Sequence, residues 1–204
     1  MDATTRGSAP RPEAAVPATG GLPCGVALRP LVAHADPRGV LYEIFRAEWS
    51  AHARPVQWNF VRSAAGVLRG VHLHPRHWDY LVVLDGCMTL GLADLRSGSP
   101  TEGLASIVTL DAAELRAALI PPGVAHGFYF DVPSLHVYGV DCYWNPADEL
   151  GCRFDDPGLG LRWPIAPKLL SERDRALPPL AELRPHVPPY TAAAASAGGE
   201  RAPA

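Results

Sequence analysis

Apolar residues along this chain gather in short runs and do not recur at helical spacing. The runs "VLYEIF", "VQWNFV", "YLVVLDGCMTLGLADL", "ASIVTL", "AALIPPGVAHGFYF" and "LHVYGVDCYW" are rich in Val, Leu, Ile and aromatic residues. Breakers such as "DPRG", "RSGSPTEG", "IPPG" and "NPADELG" divide them. Many short strands at close intervals predict an all-β sandwich or barrel. One stretch near the end, "LSERDRALPPLAEL", predicts a short C-terminal helix. Ser171 can cap it, and the carboxylate of Glu172 suits the positive end of the helix dipole. The two ends have no apolar period and are rich in Ala, Pro and Gly. Residues 1–25 are therefore expected to be a disordered leader and 185–204 a disordered tail, with 26–184 as the one folded domain.

Composition narrows the classes. A chain of 204 residues is long enough for one ordinary core. With 18 Lys+Arg against 21 Asp+Glu, no global field argues for nucleic acid or a membrane surface as partner. No apolar run approaches the roughly 18 residues that span a bilayer. The N-terminus lacks the basic-then-apolar order of a secretory signal, so a soluble, cytoplasmic protein is expected. Cys24, Cys87, Cys142 and Cys152 show no C-x-x-C spacing and are read as plain thiols.

The stretch "GVLRGVHLHPRHWDYLVVLDG" places three histidines and an aspartate within eight positions, His72 to Asp79. On a strand, His72 and His74 share a face, and imidazoles on an interior face need partners. His77 is assigned to the opposite face or a bend, at the surface. His34, His52, His136 and His186 match no pattern and are taken as structural or solvated. The spacings G-x5-H-x-H-x4-D-x6-G (Gly66 to Gly86) and P-x-G-x2-H (Pro121 to His126) resemble the two motifs of the cupin superfamily. Asp79 stands where that pattern usually has Glu, and Phe130 where it ends in Asn. The resemblance implies a cupin double-stranded β-helix, or jelly roll.

A narrower resemblance covers residues 28 to 183. The stretches "DPRGVLYEIFR", "VQWNFVRSAAGVLRGVHLH", "ADLRSGSPTEG", "IPPGVAHGF", "VYGVDCYWNPADELGCRFDDPGLGLRWP" and "LSERD" follow the order seen in the dTDP-4-dehydrorhamnose 3,5-epimerases. That resemblance implies an epimerase of a nucleotide-linked 4-keto-6-deoxyhexose in deoxysugar biosynthesis, with no cofactor required, working as a homodimer through exchanged edge strands. It implies His72 as general base, held by the Asp of the D-P pair, Asp156, and Tyr138 as general acid. Asp155 is the neighbouring candidate, and only the D-P match selects Asp156. Arg38, Glu43, Gln57, Asn59 and Arg69 fall on positions that hold the nucleotide, and His126 matches the A-H-G histidine. The residue types suit the task. Histidine titrates closest to neutral pH, so it can take a proton beside a ketone, and a phenol opposite can return one.

Four positions depart from the family. It reads R-G-L-H-Y-Q with a later lysine that steadies the enolate; here the glutamine is His74 and the lysine is Asp79. Trp144 replaces a second tyrosine and keeps an aromatic face against the substrate. Val61 replaces a small polar residue near the nucleotide. The first two changes restore a metal-ligand pattern, His72, His74, Asp79 and His126, that suits Zn, Fe, Mn or Ni. A divalent cation there would act as the missing electrophile. A metal-bound His72 could not serve as base, which would leave Tyr138 to do so with Asp156 behind His72. Two alternatives therefore stand beside the epimerase: a metal-dependent cupin, isomerase or dioxygenase, and an inactive sugar-nucleotide-binding or scaffold protein.

Overall fold

The protein is described here from a computed structural model covering residues 21–50, 53–164 and 166–192. In chain order the strands are β1 (Ala27–Pro30), β2 (Ala33–Asp36), β3 (Gly39–Tyr42), β4 (Gln57–Ser63), β5 (Val67–Leu73) and β6 (Asp79–Asp85). They continue with β7 (Cys87–Asp94), β8 (Ala105–Asp111), β9 (Arg116–Ile120), β10 (Val124–Phe130), β11 (Ser134–Val140) and β12 (Leu150–Gly151). One antiparallel sheet has the order β1-β9-β6-β11-β4, the second β12-β5-β10-β7-β8, and β2–β3 form a separate hairpin. Two facing five-stranded antiparallel sheets are the jelly roll that the patterning and motifs imply.

The longest apolar run, residues 80–95, folds as β6 and β7 about Gly86, whose φ of 77° favours glycine. A Cβ there would meet Pro133 O at 2.6 Å. Strand β6 reads as a continuous apolar run because both of its faces are covered. Leu81 and Val83 join Met88, Leu90, Leu92, Ile120 and Phe130 between the sheets. Tyr80 and Val82 pack outward under Leu31, Trp78 and the segment holding Ile44, Phe45 and Trp49. The outer face of the second sheet is covered in turn by Leu159, Leu180 and Leu183, packed on Val71, Leu73 and Ala125. Strand β5 escaped the apolar pattern because Arg69, Gly70 and His72 interrupt it.

The C-terminal helix forms where expected. α1 (Glu172–Arg175) is capped by Ser171, whose Oγ accepts a hydrogen bond from Asp174 N at 3.0 Å. Pro178 and Pro179 end the segment as one helix, and a second turn, α2 (Leu180–Leu183), follows them.

Both domain boundaries move outward. Most of the expected leader and tail lies outside the described residues, but Gly21–Gly25 and residues 185–192 pack on the domain. Arg96, 2% exposed, pairs with Asp94 at 2.8 Å and donates to the Cys24 carbonyl at 2.6 Å. Cys24 N donates to Thr101 Oγ1, and Tyr190 N to Ser97 O. A buried ion pair needs its remaining polar atoms met; the N-terminal end supplies the Cys24 carbonyl to Arg96, and the C-terminal end lays the Tyr190 ring 5.4 Å from its guanidinium. Asp94→Ala strands the Arg96 charge, so the unfolding free energy in a denaturant titration should drop by about 3–5 kcal/mol. Amide exchange at residues 22–26 and 188–191 should quicken in the same variant.

Candidate functional site

One end of the space between the sheets is apolar core; the other is a cavity of about 260 Å³ walled by polar side chains. The first sheet supplies alternate residues, as a period of two requires: Gln57, Asn59 and Val61 from β4, Asp79 and Leu81 from β6, and His136, Tyr138 and Val140 from β11. The second supplies Arg69, His72 and His74 from β5 and its end, and His126 and Phe128 from β10. Arg69 and His72 are three apart, which strict alternation would place on opposite faces. The β5–β10 register shifts between His126 and Phe128, and Gly70 absorbs the slip at a φ of 106°. A Cβ at Gly70 would sit 2.9 Å from the His126 carbonyl. Cys142, Trp144, Glu149, Ser171, Arg173 and Asp174 close the mouth.

His72 Nε2 lies 2.7 Å from Asp174 Oδ1. This corrects the expected dyad, because Asp156 does not line the cavity. Its carboxylate caps the turn Pro157–Leu159, accepting from Gly158 N at 2.9 Å and from Leu180 N at 2.8 Å. An Asp before Pro is a capping signal, and it is used here as one. The usable sequence signal was the S-x-x-D at Ser171–Asp174: the serine caps the turn and frees the aspartate to face the strand. Burial opposes ionisation of Asp174, but the His72 bond and charge and the Ser171 hydroxyl outweigh it and hold the carboxyl below its usual range. With Nε2–H donated to Asp174, the lone pair of His72 is on Nδ1. Across the cavity, burial first and then the charges of Asp79 and Glu149 push the Tyr138 phenol up, so it stays protonated.

The expected metal set of three histidines and an aspartate does not form as a whole, since His72 is bonded to Asp174. His74, Asp79 and His126 do come together, with ligand atoms within 4.8 Å of one another. Burial pushes the His74 imidazole down to about 4, helped by His77, and His126 to about 4 against the pull of Asp79. Burial raises the Asp79 carboxyl.

His77, expected at the surface, is buried and stacks on His74 with ring centroids 4.1 Å apart. The chain turns inward between β5 and β6 and carries the ring with it. His136, expected to match nothing, is 1% exposed, lines the cavity two residues before Tyr138, and has an Nδ1 without a hydrogen-bond partner among the described residues. The β11 alternation was the signal that could have found it. His34 is exposed on β2 and His186 exposed near the C-terminus, whereas His52 lies outside the described residues.

Of the expected binding residues, Gln57, Asn59, Arg69, His126 and Trp144 line the cavity. Gln57 donates to Asn59 Oδ1 and accepts from Trp144 N, and Arg69 donates to Ser63 Oγ. Arg38 and Glu43 do not line it. Arg38 is 90% exposed and pairs with Asp36 on the β2–β3 hairpin, while Glu43 faces Arg46 at 3.9 Å.

The family profile described as dTDP-4-dehydrorhamnose 3,5-epimerase matches residues 24–182. A dTDP-4-dehydrorhamnose 3,5-epimerase of Mycobacterium tuberculosis is 35% identical over 164 residues, 74% of this chain and 81% of that protein. A dTDP-4-dehydrorhamnose 3-epimerase of Streptomyces niveus is 36% identical over 160 residues, covering 74% and 77%. Among solved structures, a 3'-monoepimerase from Streptomyces bikiniensis in complex with dTDP-quinovose superposes with a TM-score of 0.74 at 32% identity, covering 81% of this chain and 90% of that one.

Burial, with Arg69 nearby, pushes the His136 imidazole down to about 4 from an ordinary value of about 6.5. Between those values the unfolded chain holds the extra proton, so stability rises with pH there, is complete above the unfolded value and is lost below it. Denaturant titrations from pH 4 to 7 should show that slope. His136→Phe should make it shallower, leaving the part that His74 and His126 contribute.

Proposed function

The chain belongs to the dTDP-4-dehydrorhamnose 3,5-epimerase family, and on that premise we propose that His72, oriented by Asp174, removes the proton beside the ketone of its sugar nucleotide while Tyr138 returns one on the opposite face. The protein is a carbohydrate epimerase of deoxysugar biosynthesis whose substrate is a nucleotide-linked 4-keto-6-deoxyhexose. One observation carries the residue roles: the 2.7 Å His72–Asp174 bond sits on one wall of a cavity whose facing wall presents a protonated Tyr138.

The steps follow from that placement. The Nδ1 lone pair of His72 takes the C–H proton, and the electron pair moves onto the ketone oxygen as an enolate. Asp174 stabilises the imidazolium and keeps the ring from rotating, as carboxylates do behind other catalytic histidines. The phenol of Tyr138 delivers a proton to the same carbon from the opposite side, so the stereocentre inverts. Solvent exchange then returns a proton to the tyrosine and takes one from the histidine. Gln57, Asn59, Arg69 and the Trp144 ring suit the nucleotide, with the guanidinium fork matched to diphosphate oxygens.

Arg38 and Glu43 can serve the nucleotide only from a partner copy, because their own cavity is out of reach. The homodimer reading supports this. Strand β4 is a sheet edge, and Val56, Trp58 and Phe60 stand exposed along it, with Val40 and Leu41 exposed on the hairpin. A second copy would cover both the apolar strip and the open edge. Work in the reducing cytoplasm fits four cysteines that are all free thiols.

In D2O, deuterium should enter the substrate beside the ketone with the wild-type chain and not with His72→Asn. Asp174→Asn should lower kcat by about 10²–10⁴-fold, the usual worth of acid–base assistance, while Asp156→Asn leaves kcat near wild type. Tyr138→Phe should retain deuterium exchange yet fail to yield inverted product, separating the two roles. Phe60→Asp should sediment as a monomer and raise KM for the sugar nucleotide; dimers at unchanged KM would reject the shared site.

A further inference from the structure

His74, Asp79 and His126 reach the cavity from the end of β5, the start of β6 and the middle of β10. His74 Nδ1 donates to the Asp148 carbonyl at 3.2 Å and His126 Nδ1 to the Val124 carbonyl at 3.1 Å. Each ring therefore keeps a lone pair on Nε2. Both Nε2 atoms face Asp79 Oδ2, at 3.8 Å from His74 and 3.7 Å from His126. Asp79 is 5% exposed, and that oxygen has no hydrogen-bond partner among the described residues. Three acceptors thus converge at the cavity wall with no donor between them among the described residues, an arrangement that costs free energy unless something positive fills it.

A proton cannot join them. Nitrogen–oxygen separations of 3.7 and 3.8 Å are beyond hydrogen-bond reach. A cation can. Ligands about 2.1 Å from a zinc-like ion at tetrahedral angles stand about 3.4 Å apart, so the two separations from Asp79 have only tenths of an ångström to close, and all three groups offer ligand atoms within 4.8 Å of one another. The carbonyls behind His74 and His126 act as the second-layer acceptors that fix tautomer and ring angle at metal sites. Two imidazoles with one carboxylate favour a transition metal over Mg or Ca.

We propose that a divalent transition-metal cation binds between His74 Nε2, Asp79 Oδ2 and His126 Nε2, with its remaining positions open to the cavity. His72 is not a ligand, so its bond to Asp174 survives and base and cation coexist. The site stands on its own geometry. The use made of it, positive charge for the enolate oxygen where the family's lysine is replaced by Asp79, rests on the epimerase reading.

The full chain, stripped with chelator and dialysed, is titrated with Zn²⁺ by calorimetry and with Co²⁺ by visible absorption. One ion per chain is expected. Asp79→Asn and His74→Ala should each weaken binding by more than about 100-fold, since even outer-layer partners cost about 10–100-fold. His34→Ala, a surface histidine, should bind as wild type. No binding by the wild-type chain, or binding that Asp79→Asn leaves unchanged, overturns the site. Binding lost instead in His77→Ala places the ion among neighbouring groups and also overturns it. Should a variant fail to fold, the wild-type imidazole resonances decide: Zn²⁺ must shift those of His74 and His126, and shifts confined to other histidines reject the proposal. Deuterium exchange on the same samples separates the two readings. Exchange at full rate by the ion-free protein ends the use given to the cation and leaves the epimerase standing. Bound Zn²⁺ without exchange in any form supports the site and ends the epimerase reading.

Discussion

The hydrogen bond between His72 and Asp174 is the interaction on which the rest of the site depends. It joins an interior strand to a helical turn 102 residues later, and it orients the imidazole proposed as the base. Four residues of helix would not hold that position alone. The turn stays in place because Ser171 caps it and because Leu180 and Leu183, just beyond, pack on the outer face of β5 and its neighbours. Catalytic geometry here is thus anchored by apolar burial on the far side of the sheet.

A second constraint is the price of a polar cavity inside a β-sandwich. The interior rows that hold Val83 and Phe130 at one end hold Tyr138, His74, Asp79 and His126 at the other, with His136 stacked on Phe130 at the junction. Burial keeps the imidazoles neutral and the phenol protonated, which are the forms that accept a substrate or an ion, but it leaves several buried polar atoms short of partners. Apolar layers on the outside of both sheets offset that cost. Function sits at the end where the inter-sheet packing is incomplete.

Asp79 shows how one position can change the logic of such a site. A lysine there would bring its own positive charge; a buried aspartate does the reverse and draws positive charge in. Its neighbours are consistent with the change, since His74 and His126 both turn lone pairs toward it. His72 is untouched by the change, because its ring bonds Asp174 of α1 while His74, two positions on, faces Asp79 of β6.

Periodicity and cap chemistry by themselves determined the all-β class and the Ser171 cap, and the family resemblance carried by the motifs implied the jelly roll and half of the cavity's residues. Those signals are local: a period of two, a turn glycine and a cap each act over a few neighbouring residues. The two cupin-like segments brought His72 and His126 together by spacing, and the epimerase resemblance added Tyr138. Only the tertiary structure decided which aspartate holds His72. The D-P match offered Asp156, with Asp155 beside it, and Asp174 holds the ring instead because its turn packs against β5. It decided likewise that His77 and His136 are buried, that Arg38 and Glu43 are not at their own chain's cavity, and that the chain ends clamp around Arg96. Each of these is a contact between segments far apart in the chain, and such pairings are set by the packing of the sheets, which no short window of residues contains.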